Sequence, residues 1–424
     1  MLVRNLIYAL AGIVLIGCEA TASTNQTPSL AQTITVPLDY KVPNLGTGSL
    51  YFELGAPYEG TKPTVFIVAD AQQFYVRSGE VPNLQRTLFG DAFNVIGVVG
   101  RGSSQDFIRA ALDANGQPDW TRAWQIFNSE QWINDIDAVR RKVVGDNGKI
   151  LLYGRSGGAF LVHQYLATYG IHVQRAFTQA ALNPFIVNEL RLNSDHFWEE
   201  IGAQTRDLQP ILRSVLDRRA NEREAIIMTL QRQNFFVPPE QLPAARAELI
   251  RALAAGDAGL FEEARKKYQV DAIQKVNNSA EGIPIRVRLF EFFYPSGAQQ
   301  RLGGEAIYPD LENQCNIAKP LVTLANAGKI PSPTFNFAVL HQLATDVFVL
   351  AGRWDHTADY RSSIALAANY PHHYLFIAND NHTFENLNKT GDTNRILRAF
   401  LESGLSSTKT REALNTAEPL RWSE

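Results

Sequence analysis

The segment from Ile150 to Leu166 constrains this chain more than any other. Ile150-Leu151-Leu152-Tyr153 is a short apolar run, Gly154-Arg155-Ser156-Gly157-Gly158 is a glycine-framed turn, and Ala159-Phe160-Leu161-Val162-His163-Gln164-Tyr165-Leu166 reads as a helix. Strand, Gly-x-Ser-x-Gly and helix in that order is the context of a nucleophile elbow. The turn is sharp, so glycines two before and two after the serine stand where side chains would collide. The serine is left exposed above the strand end, with the next backbone N–H aimed at any oxygen that turns negative beside it. The bare pattern arises by chance in roughly one chain in ten of this length and glycine content. The flanks and the downstream residues therefore carry the argument.

A serine hydroxyl is a poor nucleophile at neutral pH. It needs a base within hydrogen-bond reach, and the base needs an acid to fix its tautomer. After an elbow of this kind the acid follows first and the histidine second, each just past a late strand. Asp355 follows the apolar run Val347–Ala351, inside Gly352-Arg353-Trp354-Asp355-His356-Thr357. His382 follows the run Tyr374–Ala378, inside Asn379-Asp380-Asn381-His382-Thr383. Ser156, Asp355 and His382 are thus the candidate catalytic residues. His356 is the rival base, and Asp359 and Asp380 are rival acids. One oxyanion donor is expected at the N–H of Gly157. The other is expected from the loop Ala69-Asp70-Ala71-Gln72-Gln73, at Ala71. That loop carries no glycine, and it puts a carboxylate, Asp70, near the developing charge. Asp70 is expected to point away and cap the loop; the alternative is that it depresses activity.

Apolar runs at 33–38, 48–54, 64–68, 93–99, 150–153, 173–180, 347–351 and 374–378 read as strands. Residues 130–144 and 391–403 have helical periodicity. Strands alternating with helices imply an α/β protein with a mostly parallel central sheet flanked by helices. The alternation stops near Asn183-Pro184 and returns at Val347. The sequence therefore divides into a core at 33–184 and 336–404, a helical cap inserted at 185–335, and a polar, peripheral tail at 405–424.

The 424 residues carry a net charge of only −3 and no basic stripe, so nothing points to nucleic acid. Arg4 precedes an apolar stretch from Leu6 to Ile16, too short to span a bilayer and of the length of a signal-peptide core. It ends in Leu15-Ile16-Gly17-Cys18, which resembles a bacterial lipobox. That resemblance implies a signal peptide at 1–17, a lipid on Cys18 and a polar tether at 18–32; the alternative is an ordinary cleaved signal with an incidental cysteine. Glu19 is not the aspartate associated with inner-membrane retention, so the expected location is the outer membrane, facing the periplasm. With Cys18 lipidated, Cys315 has no disulfide partner. No cysteine or histidine spacing suggests a metal site.

Four stretches together resemble the α/β-hydrolase family, and within it the prolyl-iminopeptidase-like serine aminopeptidases. They are Val98-Val99-Gly100-Arg101-Gly102-Ser103-Ser104, Asp135-Ile136-Asp137-Ala138-Val139-Arg140, the elbow, and Gly352-Arg353-Trp354-Asp355. The likeness runs from about 33 to 403, specific in the sheet part and loose in the cap. It implies an α/β-hydrolase fold with an inserted α-helical cap. Within Arg288-Leu289-Phe290-Glu291-Phe292-Phe293-Tyr294 it also implies Glu291 as the anchor for a substrate's free amine; a solvated glutamate is the alternative. Arg155 is a further substrate-binding candidate. The chain departs from the family pattern in its glycine-free loop 69–73, in the small Gly157 after the serine, and in the lack of a proline after Asp355.

The expectation is a serine hydrolase working through an acyl-enzyme on a short-peptide or small-molecule substrate, first an aminopeptidase, with no cofactor. An esterase or lipase on small acyl esters is the enzymatic alternative. A binding lipoprotein on a hydrolase fold that has lost turnover is the non-enzymatic one.

Overall fold

A computed structural model describes residues 30–73, 75–193, 195–202, 205–301 and 307–422. The expected leader, Cys18 and most of the tether lie outside them. Among the described residues the strands are β1 (Ala31–Pro37), β2 (Thr47–Leu54), β3 (Thr64–Val68), β4 (Asn94–Val98), β5 (Ile150–Arg155), β6 (Val173–Gln179), β7 (Asp346–Gly352) and β8 (His373–Ala378). They form one sheet in the order β1-β2-β4-β3-β5-β6-β7-β8. β1 pairs antiparallel with β2, and β2 antiparallel with β4. Every later pairing is parallel. The antiparallel opening, the parallel body and a helical insertion between β6 and β7 make this an α/β-hydrolase fold.

The strands form where they do because both faces are covered. β3 is buried throughout. Its side chains alternate, as the two-residue repeat of a strand requires. Phe66 and Val68 join one apolar cluster, and Val65 and Ile67 join the other. The first cluster is roofed by α1 (Trp120–Phe127), α2 (Ser129–Val144) and α3 (Gly157–Tyr169), through Phe127, Ile136 and Phe160.

The insertion has two parts. Helices Thr205–Arg218, Arg223–Phe236 and Leu242–Ala255 close around a separate apolar cluster that includes Leu212, Ile226, Leu230 and Leu249. In contrast, α4 (Ile283–Phe293) and α5 (Pro309–Asn326) pack into the sheet's own cluster, through Val287, Phe290, Ile317 and Leu321. The end of the segment expected as cap is therefore part of the body.

On the opposite face lie α6 (Asp392–Ser403) and α7 (Thr408–Ala417). The tail expected to be peripheral is docked there. Its polar composition conceals one apolar stripe, Ala413, Leu414 and Ala417, all buried. Arg421 then bridges to Ala378 at the end of β8.

The turn after β4 and helix α2, two of the four stretches that carry the family resemblance, meet at one ion pair. Arg101 is wholly buried. Its Nε and Nη2 donate to the two oxygens of Asp135 at 2.8 and 2.7 Å. Its Nη1 donates to the carbonyls of Leu38 and Ile126 at 2.8 and 2.7 Å. One guanidinium thus ties the β4 turn to the end of β1, to α1 and to α2. Removing it strands a buried carboxylate, which costs about 3–5 kcal/mol. Arg101→Ala is expected to lose about that much stability in urea denaturation, and an unchanged midpoint would contradict this role.

Candidate active site

Ser156 occupies the N-cap of α3 with φ 52° and ψ −127°. A non-glycine residue holds such a conformation only where its surroundings force it. The surroundings are visible. Ser156 N donates to the carbonyl of Gln179 in β6 at 2.8 Å. A Cβ on Gly154 would lie 2.6 Å from the carbonyl oxygen of Gly158, and a Cβ on Gly158 would lie 2.3 Å from that of Val68 in β3. Both glycines are therefore steric requirements of the turn.

The structure brings Ser156, His382 and Asp355 into one hydrogen-bonded chain. His382 Nε2 is 2.9 Å from Ser156 Oγ, and His382 Nδ1 is 2.8 Å from Asp355 Oδ2. The other Asp355 oxygen accepts from the N–H groups of Thr357 and Ala358 at 2.9 and 2.8 Å, which fixes the carboxylate. All three lie just past the carboxyl ends of β5, β7 and β8, where open parallel sheets gather ligands. Phe235, from the insertion, meets the His382 ring edge to face at 5.4 Å.

The rivals have other partners. Burial first, and then Arg246, hold the pKa of His356 well below that of free imidazole. Asp359 bonds His196 at 2.9 Å and also Arg361. Asp380 accepts from the N–H groups of Asn381 and Leu387.

The glycine-free loop runs beside the elbow. Asp70 is buried, and its Oδ1 accepts from Gln72 N at 3.0 Å, so it caps the loop as expected; it does not point away as expected, because Arg288 holds its Oδ2 beside the elbow. That second oxygen lies so close to Gly157 that a Cβ there would sit 1.9 Å from it. Two departures from the family pattern are therefore one: the carboxylate from the loop fills the room that a larger residue after the serine would need. The N–H groups of Gly157 and Ala71 take no hydrogen-bond partner among the described residues. Gln72, rather than Ala71, lines the cavity beside Ser156.

That cavity has a volume of about 140 Å³ and lies between the sheet and the insertion. Ser156, Gly157 and His382 line one part of it, and Leu182, Met228, Phe235, Ile285 and Leu289 line apolar wall. Arg232, Gln231, Gln314 and Asp310 also line it. Asp310 is buried and accepts from the side-chain amides of Gln231 and Gln314, each at 3.0 Å. Burial, and then the neighbouring Asp195, push its pKa up to about 7.

Two expected substrate residues are not placed with the others. Arg155 stacks on the Tyr75 ring at 4.2 Å and does not line the cavity. Glu291 is buried elsewhere: one oxygen takes the N–H of Ser129 at 2.7 Å and the other takes Arg288 at 2.8 Å. Both of its oxygens are already bonded inside the protein, and it does not reach the cavity wall. Asp310 holds a cavity position that sequence reasoning missed. It sits in Pro309-Asp310 at the start of α5, where an acid needs no explanation beyond the helix dipole. Among the described residues no three His, Cys, Asp or Glu side chains converge where a metal ion could sit.

No protein-family model matches the chain. No curated protein matches it either. Solved structures that resemble it include the homoserine O-acetyltransferase from Staphylococcus aureus, 14% identical, with a TM-score of 0.47 over 91% of this chain and 99% of that one. An esterase from Exiguobacterium antarcticum is 12% identical, with a TM-score of 0.43 over 84% and 96%. An acetylester hydrolase from Corynebacterium glutamicum is 13% identical, with a TM-score of 0.41 over 89% and 96%. These are distant likenesses of overall shape, and the reading of the site rests on its own geometry.

Proposed function

We propose that the protein is a serine hydrolase that cleaves small acyl compounds through an acyl-enzyme. The observation that carries this reading is His382 held between Ser156 Oγ and Asp355 Oδ2. His382 Nε2 takes the proton as Ser156 Oγ attacks the carbonyl, and Asp355 steadies the imidazolium. The oxyanion forms against the N–H of Gly157, which lines the cavity beside Ser156. His382 returns the proton to the leaving group. Water, activated by the same histidine, then releases the acyl group.

The finer reading is an aminopeptidase on short peptides. Asp310 supports it: a buried carboxylate in the same cavity as the nucleophile matches the ammonium of a substrate's amino end. The role implied for Glu291 passes to Asp310. The apolar walls favour a second reading, an esterase on small acyl esters, for which no cation partner is needed. The lipobox-like Leu15-Ile16-Gly17-Cys18 supports a lipid tether to the outer membrane on the periplasmic side.

The two readings separate on aminoacyl arylamides, Pro and Ala included, assayed free and N-acetylated, with Ser156→Ala as the blank. The aminopeptidase reading expects a strong preference for the free amine. Because the Asp310 pKa is raised, its charge is present above about pH 7 and is lost as pH falls through that value. KM for free-amine substrates should therefore rise below neutrality. Asp310→Asn should raise that KM about 10- to 100-fold and flatten its pH dependence. Equal rates for acetylated substrates would hand the reading to the esterase. For the tether, incorporation of labelled palmitate in a bacterial host is expected for the full chain and absent in Cys18→Ala; equal labelling would refute it.

A further inference from the structure

The loop after β3 has no glycine, so side chains fix it. Gln73 holds one side: its Oε1 accepts from Gly158 N at 3.1 Å, and its Nε2 donates to the Arg155 carbonyl at 2.5 Å. The other side is held by Arg288, which comes from α4 in the insertion. Arg288 Nε donates to Asp70 Oδ2 at 3.1 Å and Nη2 to the Gly157 carbonyl at 3.0 Å. Its Nη1 donates to Gln164 Oε1 at 3.0 Å and to Glu291 Oε2 at 2.8 Å. The guanidinium is 2% exposed and lies over the Phe160 and Phe292 rings at 5.1 and 4.5 Å. A planar donor fork bonded to four fixed acceptors has little freedom left.

The charges matter as much as the bonds. An ionised Asp70 pressed against Gly157 would, alone, oppose an oxyanion on the adjacent N–H. Arg288 is the cation that faces it, and it shares that charge with Glu291. The same helix serves the pocket as well: Ile285, Leu289 and Phe292 of α4 line the cavity.

We propose that Arg288 is a positioning residue for the oxyanion hole, seating the glycine-free loop against the elbow and offsetting the charge of Asp70 there. This rests on the serine-hydrolase reading above. Arg288 lines no part of the cavity, so its contribution falls on the transition state and leaves ground-state binding alone. Because α4 joins the pocket wall to the hole, a substrate that fits the wall badly loses turnover as well as affinity.

The test compares wild type, Arg288→Lys and Arg288→Met on p-nitrophenyl butyrate, with butylboronic acid as a probe whose tetrahedral adduct on Ser156 places an oxygen in the hole. Arg288→Met is expected to lose about 100-fold or more in kcat, as for a lost oxyanion donor. KM should stay within about twofold, and boronate affinity should fall in step with kcat. Arg288→Lys keeps a charge but cannot fork to Asp70 and Gly157 together, and about a tenfold loss is expected. It decides the matter if Arg288→Met does not fold. Folded variants with lowered Tm but wild-type kcat and boronate affinity would overturn the proposal, because a purely structural brace gives that result. Wild-type protein that shows Ser156-dependent hydrolysis of neither the ester nor the free-amine arylamides would overturn the serine-hydrolase reading itself, and this inference with it.

Discussion

The backbone at Ser156 sits in a conformation that an L-residue does not choose, and the surrounding structure is arranged to hold it there. β5 delivers the chain to the turn, the Gln179 carbonyl in β6 fixes the serine's N–H, and Gly154 and Gly158 let the elbow close onto β3 without a side chain between. What that strain achieves is direction: Oγ stands where His382, brought in after β8, can reach it. A relaxed turn would carry the hydroxyl away from the histidine and leave Asp355 orienting a base with nothing to activate.

The loop beside the elbow reaches the same end by an unusual route. Glycine lets backbone approach backbone closely; here a carboxylate, two glutamines and an arginine do the fitting. Asp70 occupies the space that Gly157 leaves open, and Arg288 counters its charge. A helix of the insertion thereby joins the sheet's side of the site: α4 packs with the body, and α5 packs with the body and also against Arg223–Phe236 of the insertion.

Much of this was legible in the residues alone. Strands buried on both faces leave continuous apolar runs, and all eight expected runs are strands within two residues of their expected ends. Asp355 and His382 were legible because position past a strand end is a matter of counting. What was hidden depended on partners distant in sequence. Arg288 stands one helical turn before Glu291 and could be read as its partner, but nothing in the stretch 288–294 shows that the other carboxylate oxygen is taken by the N–H of Ser129 at the start of α2. Asp310 reads as a helix-start acid until the fold carries it to the cavity. The docked tail was concealed because three small apolar residues in a polar segment matter only once β8 and α6 are beside them.

The chemistry of this site depends on whether the elbow serine is an activated nucleophile. The most direct test is reaction of the folded protein with a fluorophosphonate probe, with the labelled peptide located by mass spectrometry. Rapid labelling at Ser156 is expected, lost in Ser156→Ala and strongly slowed in His382→Ala. A folded wild-type protein that the probe leaves unmodified, or modifies at another residue, would contradict it.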